Sequence, residues 1–207
     1  MESASTLILY GTPPSGHVHR VEVLLRLLGL PYNYVTATAD VRQTPDYLAL
    51  NPLGQIPVLV DGETVICDST AILVYLVEKY APDSDWLPRS PRGRAEVQRW
   101  LSIASGEVRF GPAIARAICQ FKADGDLPRA QAIAARLFKF MEKHLADRHY
   151  LAAEHPTLAD LACFAYIAHA PEGGIDLTPY PAIGAWLDRV RAIPGFFDMA
   201  ALPLPAH

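Results

Sequence analysis

Three places in the chain carry side chains whose type and spacing suit ligand chemistry. In GTPPSGHVHRV, Gly11–Val21, Ser15 stands between a short apolar run and the start of an apolar stripe at helical spacing. A serine there either caps the helix by accepting from a backbone amide, or donates its hydroxyl proton to an anion bound at the helix start. Thr12 is the other hydroxyl of that turn. Further along, Asp68-Ser69 opens a second helical stretch. The orphan amides and partial positive charge of a helix N-terminus favour a carboxylate. A Ser69 hydroxyl adds one hydrogen bond to that carboxylate and an Asp68 carboxylate pairs with an ammonium group, which together suit the zwitterionic end of an amino acid. Plain N-capping is the alternative use of the same pair. Between these two places, NPLGQIPVL puts Pro57 at the first position of a predicted strand, where a missing amide proton is tolerated only at an edge or bend. Read alone, the Ile56–Pro57 bond is trans, the usual form. A cis bond would aim the backbone N–H and C=O of Ile56 outward, where an extended peptide can pair with them by strand addition.

Other chemistries lack their residues. The Gly11–Val21 turn has two glycines and no Gly-Lys-Ser/Thr ending, so it is not a phosphate loop. His17 and His19 are two apart and point to different faces of a helix, and neither HExxH nor a Cys–His cluster occurs, so no metal site is expected. Cys67, Cys119 and Cys163 are lone and widely spaced, without a CxxC pair or a disulfide framework, and Cys67 reads as a small core residue. Any thiol chemistry therefore needs a thiol supplied by a ligand.

The elements that must position these residues follow from periodicity. Thr6–Tyr10 is a predicted strand; Val21, Leu24, Leu25 and Leu28 form a helix stripe stopped by Gly29 and Pro31; Tyr32–Thr36 is a second strand. After a longer connection, Pro57–Val60 and Thr64–Cys67 flank Asp61-Gly62, a hairpin signal, and a helix runs from Ser69 to Tyr80. The rest reads as helical: Arg92–Lys122 with a bend at Pro112, Leu127–Leu145, Leu158–Ala168 and Ala182–Ala192. Thr157 is the candidate N-cap of the third of these, with Asp160 three residues on in a variant capping box.

Composition limits partners. Of 207 residues, 51% are apolar and 19% charged, enough to bury a core. The net charge of −4 leaves no basic stripe for nucleic acid or anionic lipid. The longest apolar run, Leu161–Ala168, is far below the ~18 residues that span a bilayer. The N-terminus has an acidic residue and no basic one before its short apolar run, so no secretory leader is expected and a cytoplasmic protein is the default reading. The split falls in the proline-rich segment 81–91, with a net-acidic first part and a near-neutral second.

Taken in order, the β-α-β unit, NPLGQIPVL, the Asp-Gly hairpin, Asp-Ser at a helix start, a linker and an all-helical half resemble the glutathione S-transferases of the cytosolic type. T-L-A-D at Thr157–Asp160 and YPAIGAWLDRVRAIPGF at Tyr180–Phe196 extend the resemblance over essentially the whole chain, and the Ser15-to-Arg20-Val21 spacing resembles the bacterial, serine-type, theta-like branch. The resemblance implies an α/β thioredoxin-like N-terminal domain (residues 1–80), a linker (81–91), an all-α C-terminal domain (92–207) and a homodimer, with Tyr47, Leu48 and the first long helix of the second half as interface candidates. It implies glutathione as co-substrate and a small hydrophobic electrophile as second partner. By position, Ser15 would bond the glutathione sulfur and Ile56, before a cis Pro57, would pair with the cysteinyl unit. Asp68 and Ser69 would hold the γ-glutamyl end, with Gln55 near the glycyl carboxylate. The family's His-Lys or Gln-Lys ahead of the Asn-Pro turn is Arg42-Gln43 here, leaving Arg42 as the substitute for that carboxylate. Ser105, Arg109 and Phe110 are candidates for the electrophile pocket, shared with the Gly11–Pro14 loop. Two other functions fit the same residues: a glutathione-dependent peroxidase or disulfide reductase, and a non-catalytic interaction module on the same scaffold.

Overall fold

The computed structural model describes residues 6–205, and the chain divides into two compact units, Met1–Pro82 and Asp83–His207. The first unit is built on a four-stranded sheet of order β2-β1-β3-β4. β1 (Leu7–Gly11) pairs parallel with β2 (Tyr32–Thr36) and antiparallel with β3 (Val58–Asp61), which pairs antiparallel with β4 (Thr64–Cys67). The parallel β1–β2 pair needs a crossover, which α1 (Gly16–Leu27) supplies, and the Asp61-Gly62 turn closes the β3–β4 hairpin with Gly62 at φ 61°. α2 (Pro45–Leu50) and α3 (Ser69–Tyr80) complete the unit. β1 and β3 each sit one residue later than the sequence reading puts them. α2 lies in what reads as a plain connection; its six residues are too few to show a helical period, although Thr44 caps it and Pro45 occupies the first turn.

Buried Leu7 and Leu9 on β1, Val21, Leu24 and Leu25 on α1 and Ile72, Leu73 and Leu76 on α3 form the core of this unit. At the hairpin, buried Asp61 Oδ2 accepts from the Tyr75 hydroxyl at 2.8 Å, Lys79 Nζ at 2.6 Å and the Tyr80 hydroxyl at 2.5 Å, which ties the sheet to the last turns of α3. Asp61→Ala strips three donors of one buried acceptor and is expected to cost about 2–3 kcal/mol; chemical denaturation should show a lower midpoint with the slope unchanged.

The second unit is helical: α4 (Pro91–Ile103), a π-helical stretch Ala104–Ala113, α5 (Ile114–Phe121), α6 (Leu127–Leu145), α7 (Leu158–Ala168) and α8 (Pro181–Arg191). The first long helix of the sequence reading therefore stays helical but changes register: instead of a simple bend at Pro112, the turns around that proline, which has no N–H to give, are widened to π geometry. α7 is buried from Leu158 through Ile167, as an apolar-all-round helix must be, and packs on α4, the π stretch and α8. Thr157 and Asp160 form the capping box at its start. Asp160 is fully buried and accepts from Leu151 N at 3.0 Å, Thr157 N at 2.9 Å, Thr157 Oγ1 at 3.3 Å and Trp186 Nε1 at 2.9 Å. Burial pushes its carboxyl up, against those donors, which favour the ion. A second buried set joins Arg116 to Glu172 at 2.6 Å and Glu172 to His169 at 2.6 Å. No described helix is long and apolar enough to cross a membrane.

Candidate functional site

The sheet register gathers the candidate residues at one end of the first unit. Tyr10 near the end of β1, Val58 at the start of β3 and Cys67 at the end of β4 lie in one cross-strand row. Ser15 follows β1, Ile56-Pro57 precedes β3 and Asp68-Ser69 follows β4, so all three places meet beyond that row. Beneath them Ala37, Tyr47 and Val58 form a small core with Tyr10, Leu50, Ile56, Val60 and Cys67 packed against it.

Ser15 is the N-cap of α1. Its Oγ accepts from Val18 N over a long 3.4 Å, while the hydroxyl proton has no acceptor among the described residues. Both uses of a serine at a helix start are thus compatible here: the cap occupies a lone pair, and the donor is left for a ligand. The turn is held by Ser15 N donating to Thr12 O at 3.1 Å, which engages the Thr12 carbonyl. Gly11 has to be glycine, because a Cβ there would come within 2.5 Å of Val18 Cγ1.

The Ile56–Pro57 bond is cis, which corrects the trans reading made from X-Pro frequencies alone. Among the described residues Ile56 makes no backbone hydrogen bond through its N–H or its C=O. The preceding carbonyl, Gln55 O, is braced by the Tyr47 hydroxyl at 2.8 Å and Asn51 Nδ2 at 2.9 Å. Burial pushes the Tyr47 phenol up to about 12, so it stays a donor across neutral pH. Gln55 itself is exposed. Arg42 is half-buried in a 3-10 turn, Val41–Gln43, with Nε donating to Thr38 O at 3.4 Å. Gly54, at φ 60°, packs so close that a Cβ would lie 3.3 Å from Arg42 O and 3.5 Å from Gln43 Nε2, which brings that turn beside Gly54-Gln55.

Asp68 caps α3: Oδ1 accepts from Thr70 N at 2.8 Å, Thr70 Oγ1 at 2.5 Å and Ala71 N at 3.2 Å. Its φ of 72° is a strained value for a residue other than glycine. Burial works against ionisation of this carboxyl, but the Thr70 hydroxyl, the Ala71 and Thr70 amides and the Arg20 charge outweigh it and hold Asp68 below the usual carboxylate range. The charge therefore persists at neutral pH, and its contribution to the cap is lost only as pH falls through that lowered value. Ser69, 4% exposed, accepts from Arg20 Nη1 at 3.1 Å. Its amide and hydroxyl protons have no acceptor among the described residues, which leaves two donors at the head of α3.

Cys67 donates weakly to Leu50 O at 3.4 Å, and burial, with Asp68 adding to it, pushes its thiol up. That is a packed, unreactive cysteine. Of the three candidates in the second unit, Phe110 is 53% exposed and lines a groove of 630 Å³ with Ile114, Ala130 and Ile133, and Arg109 sits over its ring at 5.5 Å. Ser105 and Arg109 do not line that groove. No group of metal-binding side chains occurs among the described residues.

Comparison with known proteins decides the family. Residues 9–84 match the model of the glutathione S-transferase N-terminal domain, and residues 110–194 that of the C-terminal domain. Glutathione S-transferase 3 of Zea mays is 35% identical over 215 residues, covering 96% of this chain and 96% of its own. The chain belongs to the glutathione S-transferase family. A glutathione S-transferase of Pseudomonas fluorescens has a crystal structure that superposes with a TM-score of 0.89 at 34% identity, covering 94% of this chain and 99% of its own. A glutathione transferase homolog from Drosophila mojavensis, solved with bound glutathione, gives 0.83 at 29% identity, covering 92% and 89%. The mouse glutathione S-transferase theta-2 is 29% identical, covering 84% of this chain and 76% of its own. The thioredoxin-like sheet unit and the helical unit are those of the glutathione S-transferase fold. Within this family member, Arg20, Tyr47 and Asn51 brace the site, yet the sequence reading gives none of them that part. Arg20 and Ser69 are 49 positions apart, and no local pattern announces their contact.

Proposed function

We propose that this chain is a glutathione transferase that binds the tripeptide across the sheet end and stabilises its sulfur as a thiolate through the Ser15 hydroxyl. The observation that carries the reading is the set of donors and acceptors left without partners among the described residues at one end of the sheet: the Ser15 hydroxyl proton, the Ile56 backbone N–H and C=O, and the Ser69 amide and hydroxyl protons. An extended peptide satisfies them in that order. Its cysteinyl backbone pairs with Ile56, its γ-glutamyl carboxylate takes the Ser69 donors, its ammonium group faces Asp68, and its glycyl carboxylate lies toward Gln55 and Arg42. The thiol proton leaves to solvent, and the Ser15 proton stays on the serine and is shared with the sulfur anion. The sulfur then forms a bond to an electrophilic carbon, and the leaving group departs with the bonding pair. In magnitude, lowering a thiol of pKa about 8.5 by about 2 units needs roughly 2.7 kcal/mol. A hydrogen bond to a charged group supplies about 1.5–3 kcal/mol and the α1 N-terminus about 0.3–1 kcal/mol. The two together suffice.

Titration calorimetry with glutathione tests the binding half: saturable heat is expected, and none at millimolar ligand would favour a non-catalytic module. Turnover of a haloarene above that of an organic peroxide or a disulfide, measured on one preparation, is expected of a transferase, and the reverse order would make it a peroxidase or reductase. Asp68→Asn keeps the cap acceptor and tolerates a positive φ but removes the charge. It should weaken glutathione roughly fivefold, as loss of a partly exposed ion pair would, and lower Tm slightly, because the charge that the cap donors favour is lost as well. In keeping with the family, we place the protein in the cytoplasm as a homodimer, and sedimentation should give twice the 22.7 kDa of one chain.

A further inference from the structure

The Thr12–Ser15 turn carries a hydroxyl at each end. Pro13 and Pro14 fill its two central positions and have no N–H to give, and the Ser15 amide is engaged by Thr12 O at 3.1 Å. Such a bond keeps the Cα atoms of the two ends within about 7 Å of each other. Ser15, at the α1 end, is assigned above to the sulfur. Thr12, at the β1 end, is half-buried, and its hydroxyl has no partner among the described residues. The two are not equivalent. β1 buries Leu7, Leu9 and Gly11 on one face, while Tyr10 on the other packs with Ile56 against the small core of Ala37, Tyr47 and Val58. Two positions on from Tyr10, Thr12 continues that second face past the strand end, on the Ile56 side of the turn.

Charge movement gives the second hydroxyl its use. A thiolate is charged before it reacts, so a further donor on sulfur would weaken the nucleophile. A donor speeds attack where charge appears as the new bond forms. We propose that Thr12 is a catalytic donor to the second substrate: its hydroxyl stabilises the charge that forms on the carbonyl oxygen of an α,β-unsaturated ketone or aldehyde as the glutathione sulfur adds to it. The sulfur pair forms the S–C bond at the β-carbon, the C=C π pair shifts toward the carbonyl, and the resulting enolate oxygen accepts from Thr12 Oγ1. The α-carbon then takes a proton from solvent, which restores the carbonyl and balances the thiol proton released earlier. Thr12 keeps its own proton throughout. In displacement at an alkyl halide the charge departs with the halide, and no carbonyl oxygen meets Thr12. This inference rests on the Ser15 thiolate proposed above.

Kinetics at saturating glutathione, with benzylideneacetone or butyl iodide as second substrate, tests it in Thr12→Val, which keeps the shape and removes the hydroxyl. With benzylideneacetone, kcat/KM should fall about thirtyfold, the effect of losing a hydrogen bond to a charged oxygen. With butyl iodide it should change less than about twofold. The pH midpoint of the bound thiolate, read by ultraviolet absorbance, should be that of the parent, since Thr12 does not hold the sulfur. Thr12→Ser keeps the donor and should stay within about threefold of the parent on benzylideneacetone. Where the parent converts benzylideneacetone alone, the unchanged midpoint takes the place of the iodide control. Equal losses with both substrates, or an unchanged rate with benzylideneacetone, would overturn the proposal. So would a midpoint that rises in Thr12→Val, which would make Thr12 a second donor to sulfur, or a parent that converts butyl iodide and no benzylideneacetone. If Thr12→Val does not fold, Thr12→Ala is read by the same criteria, and a folded Thr12→Ser with the full loss also overturns the proposal. A parent whose bound glutathione titrates like the free tripeptide removes the thiolate reading, and this inference with it. A lowered midpoint with no effect at Thr12 removes the inference alone.

Discussion

Replacing Ser15 with alanine should lower kcat/KM for a haloarene roughly a hundredfold at neutral pH. The Ser15 hydroxyl stands at the head of α1, and its proton has no acceptor among the described residues. Its removal takes away the charge-assisted bond, about 1.5–3 kcal/mol, and leaves only the helix terminus acting on the sulfur. About 2.7 kcal/mol is a hundredfold in rate. The loss should shrink as pH rises toward the ordinary pKa of a free thiol, since a group ionised by the medium no longer needs the serine. The cap itself contributes little to this difference: its bond from Val18 is long, at 3.4 Å, so Tm should fall only slightly. A large drop in Tm with the pH dependence unchanged would make Ser15 a structural cap and nothing more. Ser15→Thr, which keeps the hydroxyl, should retain more activity than alanine, and an inactive folded threonine variant would show that position, as well as chemistry, is limiting.

The largest effect on stability is expected at Asp160. Its two oxygens collect the amides of Leu151 and Thr157, the Thr157 hydroxyl and the Trp186 indole N–H, all of them buried. Asp160→Ala leaves these donors without an acceptor and unties α7 from the Leu151 loop and from α8 at once. Each orphaned buried donor costs about 1–3 kcal/mol, so a loss of at least about 4 kcal/mol is expected, equivalent to a Tm lower by roughly 8–16 °C in a chain of this length. Asp160→Asn can keep the acceptor on one side only, so it should fall between alanine and the parent. Because burial pushes this carboxyl up, ionising it in the folded protein is harder than in the unfolded one. The contribution to stability from this group therefore falls as pH rises from the ordinary carboxyl range through the raised value. In Asp160→Asn that part of the pH dependence should vanish from the melting curve. A Tm within two degrees of the parent for the alanine variant would contradict the reading of α7 as the centrepiece of its unit.

What the sequence made legible followed from periodicity and caps. The Val21–Leu28 stripe, the Asp-Gly turn, the Leu127–Leu145 helix and the Thr157–Asp160 box each depend on neighbours within a few positions, and each appears where the pattern puts it. Ser15, Ile56, Asp68 and Ser69 were legible as positions, because turn and helix-start chemistry marks them. Their state was not. Statistics favour a trans Ile56–Pro57 bond, and the cis form depends on the surrounding fold. Asp68 has a positive φ that a sequence rule would assign to glycine. The Arg20–Ser69 contact spans 49 positions and only the packing of α1 against α3 creates it. The change to π geometry near Pro112 was hidden because both helix types share an apolar period within one or two turns.

The thiolate of bound glutathione can be watched directly, by titrating its ultraviolet absorbance against pH in the binary complex. A midpoint about 2 units below that of the free tripeptide is expected, returning most of the way toward the free value in Ser15→Ala. A midpoint in the parent complex equal to that of free glutathione, or a lowered one that Ser15→Ala does not move, would contradict the assignment of the serine hydroxyl as the group that holds the anion.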